Sequence, residues 1–145
     1  MILKDIVDIK NQLKDFKGYK CVVIICRYNE GKSSIISDMI HEYFGEEETY
    51  YATFIDQNKP NFTPRASRLK FDEIVKNKII IFDEISDDKD RDIKNYLKKL
   101  INDNLVIILS NPYGSTHNSE KEIDLFKQHE KNILPKETLF IFVKN

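Results

Sequence analysis

The chain has 145 residues, the size of one ordinary domain, and its 41% hydrophobic and 32% charged side chains make a soluble globular balance. A formal net charge of -1 excludes a bulk electrostatic drive toward nucleic acid or an anionic membrane, so any such site has to be a local patch. The two cysteines, Cys21 and Cys26, share one apolar run; at ~3.3 Å of rise per residue their sulfurs lie too far apart to bond and face opposite ways, so no disulfide framework is expected and a reducing cytoplasmic compartment is.

Taken in chain order, Ile2, Ile6, Ile9, Leu13 and Phe16 recur at spacings of four and three, which predicts an N-terminal amphipathic helix over 1–17 stopped at Gly18. It is charged from Lys4 onward, so neither a signal peptide nor a membrane span is expected there. Residues 21–26 (CVVIIC) form a continuous apolar run, the pattern of a strand buried on both faces in a parallel sheet. A loop over 27–31 leads into a predicted helix over Lys32–Phe44, with Ile35, Ile36, Met39, Ile40 and Tyr43 at helical spacing and Gly45 as its C-terminal cap. A second strand is predicted over 49–55. The stretch 57–70 is broken by Pro60 and Pro64 and carries Lys59, Arg65, Arg68 and Lys70, and a short helix is expected over 67–76. A third strand (78–83, KIIIFD), a helix over 90–101 and a fourth strand over Leu105–Ser110 follow. Beyond a loop rich in turn formers, Ser119 and Glu122 make a capping-box pattern ahead of Ile123 and Phe126, and a fifth strand covers Thr138–Val143. Strands alternating with helices predict an α/β fold of one domain, residues 1–145, with a core over 21–143, a mostly parallel sheet and right-handed crossovers. Ligands of such sheets bind at the carboxyl ends of the strands.

Three of those strand ends carry polar chemistry. After the first strand comes Arg27-Tyr28-Asn29-Glu30-Gly31-Lys32-Ser33-Ser34, which contains Gly-Lys-Ser at a strand-to-helix turn. Backbone N–H groups of such a turn converge on one point and the helix dipole adds positive potential there, so the loop is a candidate phosphate cradle. In that reading Lys32 reaches the terminal phosphates of ATP and the Ser33 hydroxyl coordinates Mg²⁺. Cys26 stands where the pattern has its first glycine, and Glu30 puts an acid inside the loop. The third strand ends in Asp83-Glu84, two carboxylates where burial makes charge costly without a cation or water nearby. Asp83 suits a Mg²⁺ partner and Glu84 a general base; alternatively the strand simply enters an acidic turn, since Asp87, Asp88, Asp90 and Asp92 follow. The fourth strand ends in Ser110-Asn111-Pro112. The Asn111 amide suits a bond to a terminal phosphate or an attacking water, while Asn-Pro equally begins a turn.

The set Gly31-Lys32-Ser33, Asp83-Glu84 and Asn111 resembles the additional-strand, catalytic-glutamate division of P-loop NTPases, over nearly the whole chain from Cys21 to Val143. The resemblance implies a three-layer fold with a five-stranded sheet of order 5-1-4-3-2 and helices on both faces. It also implies an ATP hydrolase using ATP and Mg²⁺, with Arg27 to Ser34 around the nucleotide. Within the division the chain is most similar to phage DNA-packaging ATPases, which end one apolar strand in Asp-Glu and a later one in Ser-Asn and carry an arginine in the phosphate loop, usually one position later than Arg27. That likeness implies a motor acting on DNA, in the host cytoplasm if viral. It implies a homo-oligomeric ring in which Arg65 or Arg68 reaches a neighbouring subunit; those arginines also suit nucleic-acid phosphates, or a solvated loop. Alternatives are a superfamily-3 helicase domain, for whose DNA-reading hairpin the interval from Asp83 to Asn111 leaves little room, a small-molecule kinase, which Glu84 argues against, and a non-catalytic nucleotide-binding module, which Cys26 and Glu30 motivate. His41, His117 and His129 show no ligand spacing, and Tyr50, Tyr51 and Phe54 read as core.

Overall fold

The computed structural model describes residues 2–26, 32–53, 65–83, 91–114 and 118–143, with backbone alone at 2–4, 6, 32 and 33. Its frame is one parallel sheet of seven strands: β1 (Ile2–Lys4), β2 (Cys21–Ile25), β3 (Thr49–Ala52), β4 (Ser67–Arg68), β5 (Ile79–Asp83), β6 (Leu105–Ser110) and β7 (Thr138–Val143). They lie side by side in the order β1-β7-β2-β6-β5-β3-β4, every neighbouring pair parallel. The expected count of five strands is therefore corrected to seven, because a short strand lies beyond each end of the five expected ones.

Among the described residues four helices, α1 (Ile6–Gln12), α2 (Lys32–Phe44), α3 (Arg91–Asp103) and α4 (Ser119–His129), cover the sheet in two layers. Successive strand residues point to opposite faces. On one face Val22, Ile24, Ile79, Ile81, Ile107 and Leu109 pack with Ile9, Leu13 and Phe16 of the α1 region and with Ile36 and Ile40 of α2. On the other, Cys21, Val23, Ile80, Phe82, Val106 and Ile108 pack with Ile93, Leu97 and Leu100 of α3 and Ile123 and Phe126 of α4. The unbroken apolar strand runs are thus explained by burial on both sides. Cys21 and Cys26 are both buried and free, one in each layer.

Several local expectations are corrected. The N-terminal segment is not one helix: residues 2–4 pair with β7, where Ile2 faces Ile141 in register. Asp5 ends this strand by capping α1, accepting from the Asp8 N–H at 3.0 Å. The chain tightens to a 3₁₀ turn over Leu13–Gly18. In α2, Ile36 and Ile40 are buried, but Ile35 and Tyr43 are about half exposed at 50% and 47%. Gly45 terminates α2 at φ +100°, donating to the His41 carbonyl at 2.9 Å.

No helix forms over 67–76. Leu69 N–H instead donates to the Tyr51 carbonyl at 2.8 Å, continuing the pairing of β4 with β3. Asp72 and Asn77 take positive φ, and the intervening backbone is bonded by side chains of α3 and its end. Tyr96 donates to the Glu73 carbonyl at 2.7 Å, and Asn104 bonds both the Val75 carbonyl and the Lys78 N–H at 3.0 Å. The N-cap of α4 falls at Asn118, one residue before the predicted Ser119, and the expected pairing of Ser119 with Glu122 is not what caps the helix. Asn118 caps α4, accepting from the Glu120 and Lys121 N–H groups, while Glu122 is fully buried and accepts from Gly114 N–H at 3.0 Å.

Candidate functional site

β2, β6 and β5 end within a residue of one another. Ile25 is in register with Ser110, and Leu109 with Asp83. Cys26 N–H donates to the Ser110 carbonyl at 2.9 Å, which carries the β2–β6 ladder one step further. β6 lies between the other two, so the end of β2 and Asp83 are separated by two strand spacings, roughly 10 Å. α2 begins at Lys32, just after β2 ends, so its first turn stands at the carboxyl edge of the sheet, and its body packs against β3 and β5. Lys32, Ser33 and Ser34 form that turn; Ser34 is half-buried.

Asp83 follows Ile79 and Ile81 in the alternation and so belongs to the α2 face of the sheet. It is 6% exposed. The Tyr51 hydroxyl, from β3 on the same face, donates a hydrogen bond to Asp83 Oδ2. A buried tyrosine needs a partner for its hydroxyl and a buried carboxylate needs a donor, and each supplies the other. Tyr51 itself is fully buried. The expectation that it is core therefore holds for its ring but misses its hydroxyl, whose only sequence-level signal is a tyrosine on the strand beside the one ending in aspartate.

Asn111 is half-buried at the end of β6, where Ser110 Oγ donates to its carbonyl at 2.9 Å. Tyr113, two residues on, is tied to α4 and its end. Tyr113 stacks on His129 with ring centroids 4.5 Å apart and donates to Glu130 Oε1 at 2.8 Å, and Lys94 meets the same oxygen at 3.3 Å. Arg65 and Arg68 are exposed, and Arg68 stands on edge strand β4 in register with Tyr51. Asp83, Asn111 and the first turn of α2 are thus brought to one sheet edge, with Arg68 on the flanking strand. Arg27, Tyr28, Asn29, Glu30, Gly31 and Glu84 lie outside the described residues, as do Phe54 and His117.

The edge carries two complementary electrostatic features. The first turn of a helix has backbone N–H groups without intrahelical partners and a positive dipole end, which favour an anion. At the same sheet edge stands a buried carboxylate, which favours a cation or a donor. Among the described residues no group of three or more His, Cys, Asp or Glu side chains is arranged to hold a metal, and both ring nitrogens of the buried His41 lack hydrogen-bond partners. No helix of the described residues is long and apolar enough to cross a membrane. Neither a protein-family model nor a curated protein sequence matches the chain.

Proposed function

We propose that this α/β domain binds Mg-ATP at the carboxyl edge of its sheet and hydrolyses it to drive work on nucleic acid, in the manner of a phage DNA-packaging ATPase. The observation that carries the reading is Asp83, a buried carboxylate ending β5 on the face where α2 begins with Lys32 and Ser33. Three independent stretches of sequence supply these residues and Asn111, in the chain order this chemistry uses. The donor set suits a magnesium-bound triphosphate. Lys32 and the 27–31 backbone neutralise phosphate oxygens, while Ser33 and Asp83 offer the hard oxygen ligands that Mg²⁺ takes. A bound Mg²⁺, held by Ser33 and Asp83, would supply charge neutralisation to the phosphates.

Glu84, next after Asp83, takes the proton of an attacking water; the water oxygen bonds to the γ-phosphorus as the bridging P–O bond to ADP breaks. Asn111 orients that water or the γ-phosphate. Arg65 and Arg68, exposed at the β4 edge, neutralise charge across a subunit boundary in a homo-oligomeric ring on DNA. The test is nucleotide binding by Lys32→Ala, followed by fluorescence of an N-methylanthraniloyl ATP analogue. The variant is expected to keep its circular dichroism and lose binding by at least about 100-fold, as for loss of a charge-assisted contact worth ~3 kcal/mol. Unchanged affinity in a folded Lys32→Ala protein refutes the site.

A further inference from the structure

A cavity of about 520 Å³ opens where the end of α4 meets the start of β7, at the opposite edge of the sheet from Asp83. Its rim carries Lys127 from α4, Lys131 from the turn after it and Lys136 from the loop before β7. Among the described residues no carboxylate lines it. The chain as a whole has 23 basic and 24 acidic side chains, so this is a local departure from balance. Two other cavities show the ordinary mixture: Asp72, Glu73 and Asp103 accompany lysines in one, and Asp38 and Glu42 accompany Lys10 in the other.

The walls are aromatic and aliphatic. Tyr19 is 37% exposed on one side, and Phe140 and Leu134 are half-buried. Lys127 Nζ is held 5.0 Å from the Phe140 ring centroid in a cation–π contact. Lysines after the last turn of a helix complement its dipole, but that field fades within a turn and does not account for Lys136. The volume falls in the range of small-ligand clefts and admits a base or two, not a duplex. Clustered cations around an exposed aromatic ring are the chemistry that grips single strands, phosphates on lysine and bases on the ring.

We propose that this cleft binds single-stranded nucleic acid, with Lys127, Lys131 and Lys136 on the phosphates and Tyr19 under a base. The proposal rests on the nucleic-acid half of the function proposed above and is independent of its ATPase half. Fluorescence anisotropy of a labelled oligothymidylate over a salt series tests it. In the parental protein log affinity falls linearly with log salt. Lys127→Ala/Lys131→Ala/Lys136→Ala is expected to bind at least about tenfold more weakly at low salt and to lose about 2 from the slope, at ~0.7 for each phosphate contact to a single strand. Lys10→Ala/Lys14→Ala/Lys17→Ala removes the same charge from the α1 side and is expected to change affinity less than threefold. Tyr19→Ala weakens binding by at least about fivefold, and Tyr19→Phe restores it, since every base stacks on a π-face.

Equal losses in the two triple variants overturn the cleft as the site and leave the nucleic-acid reading standing. Absence of parental oligothymidylate binding also overturns the cleft as the site, whereas the nucleic-acid reading falls only if duplex DNA fails to bind as well. A cleft that takes an oligoglutamate peptide with the same dependence on Lys127, Lys131 and Lys136, but no oligothymidylate, also overturns the proposal. All four cleft side chains that are replaced are exposed, and unchanged melting temperatures confirm that the variants are folded.

Discussion

Tyr51→Phe isolates one hydroxyl at the centre of the candidate site. The ring stays in the α2-face core, and the only atom lost is the one that donates to Asp83 Oδ2. Both residues are buried, at 0% and 6% exposure, so water does not simply replace the donor. A hydrogen bond to a charged group contributes about 1.5–3 kcal/mol, and removing one side of a buried pair exposes the desolvation cost of the other. We therefore expect Tyr51→Phe to cost about 2 kcal/mol in urea unfolding, with an unchanged m-value. At roughly 4 °C per kcal/mol for a domain of this size, the midpoint drops by about 8 °C. Asp83→Leu provides the second edge of a double-mutant cycle, since a leucine accepts nothing from the hydroxyl, and the coupling energy is expected at about 1–2 kcal/mol. A Tyr51→Phe protein within 0.5 kcal/mol of the parent, or additive single and double variants, refutes the pairing.

Other perturbations probe the rest of the molecule. A Cβ on Gly114 meets Glu122 Oε1 at 2.8 Å and Leu125 Cδ1 at 3.0 Å, so Gly114→Ala is expected to cost about 1–3 kcal/mol in urea unfolding; parental stability would refute a tight packing of Gly114 against Glu122. Burial pushes the Cys21 thiol up from 9.0 to about 12, and burial with the nearby Glu73 and Asp72 carboxylates pushes the Tyr96 phenol up from 10.0 to about 12. The unfolded chain ionises first at both groups, so their contribution is complete below pH 9.0 and is lost as pH rises toward 12. Stability measured against pH should fall across that window, and native Cys21 should resist a disulfide-exchange reagent at pH 8; a rapid reaction in the folded state contradicts its burial. Glu84→Gln is expected to retain ATP binding and to hydrolyse about 10²–10⁴-fold more slowly, the contribution of a general base, and parental turnover removes Glu84 from that role.

The inner strands were legible because a parallel strand covered on both faces has to be apolar at every position, and CVVII, IIIFD and LVIILS have little other use. The stripe Ile93, Tyr96, Leu97, Leu100 and Ile101 of α3 was legible for the same reason, every member being buried. The edges were not. β1 and β4 have three and two residues, and each is a strand only because β7 or β3 lies alongside, which no local pattern encodes. Residues 67–76 have the composition of a helix, yet β3 bonds Leu69, and Tyr96 and Asn104 bond the backbone that a helix would have satisfied internally. Asp83 and Asn111 stood out in the sequence because polar residues end apolar runs there. Tyr51 did not, because its meaning depends on which strand lies beside β5.

The position of β7 has a consequence for how the chain is made. β7 is the last of the seven strands in chain order, yet it lies between β1 and β2, the first two. Residues 2–25 therefore leave the ribosome with no lasting partner for either facing edge, and the apolar run CVVII waits while more than a hundred residues are added. Contacts closed over such separations form late, after most of their entropic cost has been met. A synthesis arrested before Thr138 leaves two complementary sheet edges open in one molecule, and a β7 strand from a second chain fits the gap as well as its own. Exchange of that strand between copies is the failure that pausing, truncation or high expression should favour, and β7 is the segment that a chaperone has most reason to wait for.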